Sequence, residues 1–222
     1  MSLMIVIAQE SSDLIEPALT ALSTLVAAFV GAWFAFGLED RRRARETRDT
    51  RVVSTNLAIF SFIRSHNTFI NIKSQIIDGF ENSPARHHFI KPMISDSLHK
   101  LQVDYPSISY LLGTDPNLLG EIAIIEQDVN GTIDVIRERS KLHFEHLQPA
   151  IERLQHSGRE SITTEEVDAE LGPRSAKQLV VATDYMIAGV NRAIESTKRA
   201  ASTLRDAARK EHPGQKFLCI AE

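Results

Sequence analysis

Positions 17–38 (PALTALSTLVAAFVGAWFAFGL) carry no charged side chain, and the apolar character covers every face of the helix they predict. About 20 such residues at 1.5 Å each cross a hydrocarbon core of roughly 30 Å, so the length fits one transmembrane helix. Pro17, Leu25, Phe29, Gly31, Trp33, Phe36 and Leu38 mark this span. Beyond it the pattern changes. The run EDRRRARETRDTR has strong helix formers and little to bury, which suits a solvated stalk. Apolar residues then recur at Val53, Leu57, Phe60, Ile63, Ile70 and Ile77, in steps of three, four and seven that mark one helical face. With no Gly or Pro between Gly37 and Gly79, one rod from about residue 14 to 79 is expected, approaching ~100 Å. A heptad-like seam of Val53, Leu57, Phe60 and Ile63 on a membrane-rooted helix favours self-association.

Further along, GFENSPARHHFIKP (79–92) reads as a loop, and Met93–Asp104 as a short helix opened by Ser95 or Asp96 and closed by Tyr105-Pro106. Asp115-Pro116 looks like an N-cap followed by proline at the first helical position. It opens a second long helix to about Gln155, with Leu118, Ile122, Ile125, Val129, Ile133, Ile136, Phe144, Leu147, Ile151 and Leu154 on its apolar face. Gly131 and Pro149 are the positions expected to weaken or bend it. Thr163 and Glu166 fit a capping box for a short helix that stops at Gly172-Pro173. The last long helix covers about Pro173 to Glu211, its stripe being Leu179, Ala182, Met186, Val190, Ile194, Ala201 and Leu204, with Thr197 the polar member.

No alternation long enough for a strand is present, so the fold class is all-α. A single N-terminal transmembrane helix continues into an antiparallel helical bundle of three long and two short helices. The expected division is 1–13 as an extracytoplasmic segment, with Asp13 a candidate helix cap, then 14–38 as the span. Residues 39–79 form the stalk helix, 80–212 the bundle and 213–222 the tail.

Charge orients this picture. No Lys or Arg precedes the span, while Arg41, Arg42, Arg43, Arg45, Arg48 and Arg51 follow it. Positive charge stays on the cytoplasmic side, which places the N-terminus outside and the bundle in the cytoplasm of a plasma (bacterial-type inner) membrane. Arg41, Arg42, Arg43 and Arg45 can reach anionic lipid headgroups. The acidic balance, a net charge of −4 over 222 residues, argues against nucleic acid as a partner. Cys219 is the single cysteine, so no intramolecular disulfide forms. Ala27–Gly31 and Gly31–Ala35 are small-xxx-small steps that let helices approach closely.

The chain holds no Gly-x-Ser-x-Gly elbow, no phosphate-binding glycine loop and no dinucleotide fingerprint. His143 and His146 share a helix face and His87 and His88 are neighbours in the loop, but no Glu-x-x-His pair or Cys accompanies them. No metal or other cofactor is therefore expected. Arg137 and His143 are the candidate catalytic pair. Arg137 to His143 resembles the Arg-x(4–6)-His pattern of HEPN-type RNases, themselves helical bundles, with Glu138 standing where Asn, Asp or His usually follows the Arg. The resemblance implies His143 as general base and Arg137 as phosphate ligand, two such motifs meeting across a dimer. A solvated charged helix face is the competing reading.

On balance the expected function is a non-enzymatic, membrane-anchored interaction or assembly protein that meets lipids and either a protein partner or copies of itself. The alternative is an oligomeric membrane effector, pore-forming or bearing a degenerate HEPN-like site, of the kind used in phage defence.

Overall fold

A computed structural model describes the backbone of residues 3–93, 98–156 and 161–220, with side chains from residue 19 onward. The Asp13 cap, Pro17 side chain, Ser95 and Asp96 of the preceding section lie outside these residues. Every regular element is helical: α1 (Leu3–Ile72, closing in a π-turn at Lys73–Ile77), α2 (Arg86–Phe89), α3 (Tyr105–Ile108, extended by a 3₁₀ turn at Ser109–Gly113), α4 (Leu118–Leu142), α5 (Gln148–His156), α6 (Thr164–Leu171) and α7 (Pro173–Glu211). Residues 1–50 and 51–222 form separate compact units.

In the first unit, α1 is the one helix among the described residues long and apolar enough to cross a membrane. Its apolar window has a mean hydropathy of 1.9 and buries none of its residues within the protein. Phe29 and Trp33 are 70% and 72% exposed. Each large apolar side chain gains roughly 1.5–3 kcal/mol on leaving water, so this surface favours cover by an apolar phase or by another chain.

The second unit is built on the pairing of α4 with α7. Thr132 lies against Gly189, Val135 near Tyr185, and Thr114, ahead of α4, bonds Glu211 at the end of α7 (3.1 Å), so the two helices run antiparallel. The later part of α1 is likewise antiparallel to α7: Lys73 Nζ donates to Asn191 Oδ1 (2.7 Å), His66 Nδ1 meets the Ile194 carbonyl (3.0 Å), and Asn56 holds Leu218 N–H (2.9 Å). α1 and α4 therefore share a direction, and the chain between them must return along the length of the bundle.

That return explains why the helix expected over Met93–Asp104 does not exist across 98–104, which is extended. Its backbone is satisfied by side chains of α4 instead of by its own turns. Met93 N–H donates to Ser140 Oγ (3.0 Å), and Arg137 donates to the Leu98 carbonyl (2.7 Å). Asn130 brackets Leu101, accepting from its N–H (2.8 Å) and donating to its carbonyl (3.0 Å), and Glu126 takes Val103 N–H (3.3 Å) and the Tyr105 hydroxyl. The result is a strap laid antiparallel to α4, with Leu98 and Leu101 buried beneath it.

Three other expectations shift. The 79–92 loop contains a single helical turn, α2. The second long helix begins at Leu118, because Asp115 accepts from Asn117 N–H (3.0 Å) in a turn ahead of it. Its irregularity falls at His143–Leu147, a π-turn in which Gln148 N–H donates to the His143 carbonyl. Pro149 lacks an N–H and its ring would clash with the carbonyl four residues back, so the widened turn just ahead of it absorbs the fault that Gly131, inside regular α4, does not create. The shifted register leaves Phe144 exposed while Leu147 is buried.

The α1 face also differs. Its core side is Thr55, Ala58, Ile59, Phe62, Ser65, His66, Phe69 and Ile72, while Val53, Leu57, Phe60 and Ile70 are exposed, Ile63 is half-buried and Ile77 is buried. Two of the polar members are satisfied inside: Thr55 shares a hydrogen bond with Tyr110 (2.7 Å), and His66 lies 3.3 Å from Thr197 Oγ1. Thr197 itself donates to the Ala193 carbonyl (2.6 Å), which accounts for a hydroxyl in the stripe of α7. The capping box stands as expected, Glu166 N–H to Thr163 Oγ1 (3.3 Å) and Thr163 N–H to Glu166 Oε2 (3.0 Å). α7 starts at Pro173 and ends at Glu211, as read from the sequence.

Candidate functional site

The two members of the Arg-x-His pattern occupy different surroundings. Arg137 binds the strap carbonyl of Leu98 and lies 3.4 Å from Asp134, whose carboxyl is held below the usual carboxylate range by Lys100 and then Arg137. His143 is half-buried, its Nδ1 without a hydrogen-bond partner among the described residues. Burial, and next the charge of Arg139, push it down to about 4. At neutral pH it is an uncharged imidazole.

Arg139 is the fully buried member of this stretch, at 0% exposure. One of its nitrogens donates to the backbone carbonyls of His87 (3.1 Å) and Ile90, while Nε and Nη1 have no partner among the described residues. Burial pushes it down to about 10. Among the described residues no carboxylate reaches it, so backbone dipoles carry its charge, and the single-turn helix α2 is moored to α4 by this side chain.

Mooring α2 places two imidazoles against α6. His87 Nε2 lies 3.5 Å and His88 Nε2 3.1 Å from the same oxygen, Oδ1 of Asp168. The side chains of His87 and His88 are 9% and 6% exposed, and the rings are tilted with centroids 4.1 Å apart. Despite the short distances, His87 Nε2, both nitrogens of His88 and Asp168 Oδ1 lie off the line of any hydrogen bond among the described residues. Burial, and then the neighbouring His87, lower the His88 pKa, which Asp168 partly offsets. The Asp168 partner is 80 positions from His88, which is why the sequence showed only an isolated histidine pair.

A separate apolar groove of about 500 Å³ runs between α4 and α7, floored by Val135, Leu142, Val181 and Tyr185 with Arg174 and Lys177 at its edge. On α1, the seam residues Val53, Leu57 and Phe60 are 58%, 62% and 51% exposed. In the first unit, Arg42 and Arg43 pair with Glu46 (2.8 Å) and Glu39 (2.9 Å) on exposed helix turns. Such pairs are worth a few tenths of a kcal/mol and leave both guanidinium groups at the surface.

Comparison of the chain with protein-family models, with curated proteins and with solved structures finds no match in any of the three.

Proposed function

We propose that this protein is a single-pass, membrane-anchored assembly module, with its N-terminus outside and its helical bundle in the cytoplasm, that works by associating with copies of itself. The observation that carries the reading is the wholly exposed apolar stretch of α1 followed at once by the arginine run. Lipid is the solvent in which that stretch is stable, and the one-sided positive charge sets its direction. Self-association is supported by the exposure of Val53, Leu57 and Phe60, which face away from the core that Ile59 and Phe62 fill. Spaced four and three apart, they form one short apolar stripe.

The test is cross-linking in native membranes. In a Cys219→Ser background, Phe60→Cys is expected to give a dimer band with a short bis-maleimide, and Asn71→Cys, on the polar continuation of that helix, is not. Absence of any Phe60→Cys cross-link at native expression would remove the self-association reading. The membrane-effector alternative shares the span and the small-residue steps at Ala27, Gly31 and Ala35. It adds one expectation, ion conductance of the full chain in planar bilayers.

A further inference from the structure

A buried histidine pair that contacts a carboxylate without hydrogen-bonding to it is an expensive arrangement. Each buried polar atom left without a partner costs about 1–3 kcal/mol, and three such atoms here face one another: His87 Nε2, His88 Nε2 and Asp168 Oδ1. The two tilted rings, centroids 4.1 Å apart, bring both Nε2 atoms to one carboxylate oxygen, and neither contact is aligned as a hydrogen bond. A single cation bound by all three would satisfy them together, leaving His88 Nδ1 as the one remaining atom of the four without a partner among the described residues.

The distances fit that solution. Ligands about 2.0–2.1 Å from a tetrahedral metal lie roughly 3.3 Å from each other, and the two imidazole-to-carboxylate separations are 3.5 and 3.1 Å. Ligand atoms of all three residues lie within 4.8 Å of one another. We propose that His87, His88 and Asp168 form a binding site for a divalent transition-metal ion of the zinc class, clamping α2 to α6. Two imidazoles and one carboxylate suit zinc and its first-row neighbours better than calcium or magnesium, which take oxygen ligands. Ligating histidines are oriented by outer contacts. Here the Arg139 bond to the His87 carbonyl fixes the backbone of the pair. Asp168 is 40% exposed, so the ion enters from its side and keeps an open position there for water. Glu165, one turn earlier on α6, adds a second negative charge near His88.

The experiment uses the untagged full chain in detergent, stripped with a chelator and titrated with Co²⁺, then displaced with Zn²⁺. One equivalent of Co²⁺ with intense visible absorption is expected, together with a Zn²⁺-dependent rise in thermal midpoint. Asp168→Asn, which keeps the side-chain volume, and His88→Gln should each weaken binding on the order of 100-fold and abolish the thermal shift. His146→Gln, an exposed histidine, should leave both unchanged. Absence of saturable one-to-one binding by the wild-type chain would overturn the proposal whatever the variants do. So would unchanged affinity in Asp168→Asn with its helical circular dichroism intact.

Discussion

Gly189 of α7 stands directly against Thr132 of α4: a Cβ placed on the glycine would meet Thr132 Oγ1 at 2.9 Å and Cγ2 at 3.0 Å. Thr132 cannot easily swing away, because it is β-branched and its hydroxyl donates to the Asp128 carbonyl (2.9 Å). A helix-interior glycine ordinarily costs 0.5–1 kcal/mol against alanine, so the contact must return more than that.

Gly189→Ala is therefore expected to destabilise the bundle by about 1–3 kcal/mol by overpacking. The double change with Thr132→Ala should recover much of the loss, a coupling that chemical denaturation would measure. Gly131→Ala, whose Cβ would meet nothing within 4 Å, should instead add about 0.5–1 kcal/mol.

Arg139→Ala removes the donor from two buried carbonyls and leaves a cavity. The expected cost is about 2–4 kcal/mol. Arg139→Lys should fall between, since an ammonium keeps a charged donor for the two carbonyls but fills less of the buried space than the guanidinium. Denaturation midpoints followed by circular dichroism rank the three proteins.

His143 gives a pH dependence with a definite sign. Its folded pKa is about 4 while the unfolded chain titrates near the ordinary 6.5, so between these values the unfolded state binds more protons. Stability is complete above about pH 6.5 and falls as the pH drops toward 4. Allowing for the half-exposed position, the loss is about 1–2 kcal/mol. His143→Gln should flatten this part of the profile, and a slope of the same size in the variant would assign the effect elsewhere.

Cys219 is exposed and is the natural topology probe. If the bundle is cytoplasmic, a membrane-impermeant maleimide should label it only after cells are permeabilised. Ser2→Cys in a Cys219→Ser background should be labelled in intact cells. The opposite pattern would reverse the proposed orientation.

Elements with local punctuation were legible from sequence. Gly172, at φ +76°, closes α6 and passes the chain to Pro173 at the first position of α7, and the Thr163–Glu166 box is a four-residue signal. The inner face of α1 was not legible, because Thr55, Ser65 and His66 look like surface positions until Tyr110 and Thr197 arrive to satisfy Thr55 and His66. The non-helical course of 98–104 is not legible in the sequence for the same reason. Its hydrogen-bond partners are more than 20 residues away, where no local propensity can register them. His87 and His88 stand out in the sequence, but Asp168 reaches them only through the packing of α6, and Arg139 reads as one member of a solvated charged face beside Arg137 although it is fully buried.

The strap has a kinetic consequence. Because the amides of Met93, Leu101 and Val103 are held by α4 side chains, they have no protection of their own to lose. In native-state hydrogen exchange they should open together with α4 as one cooperative unit, slow despite lacking regular structure. A connecting segment that exchanges at the rate of the core also resists a protease that nicks ordinary loops.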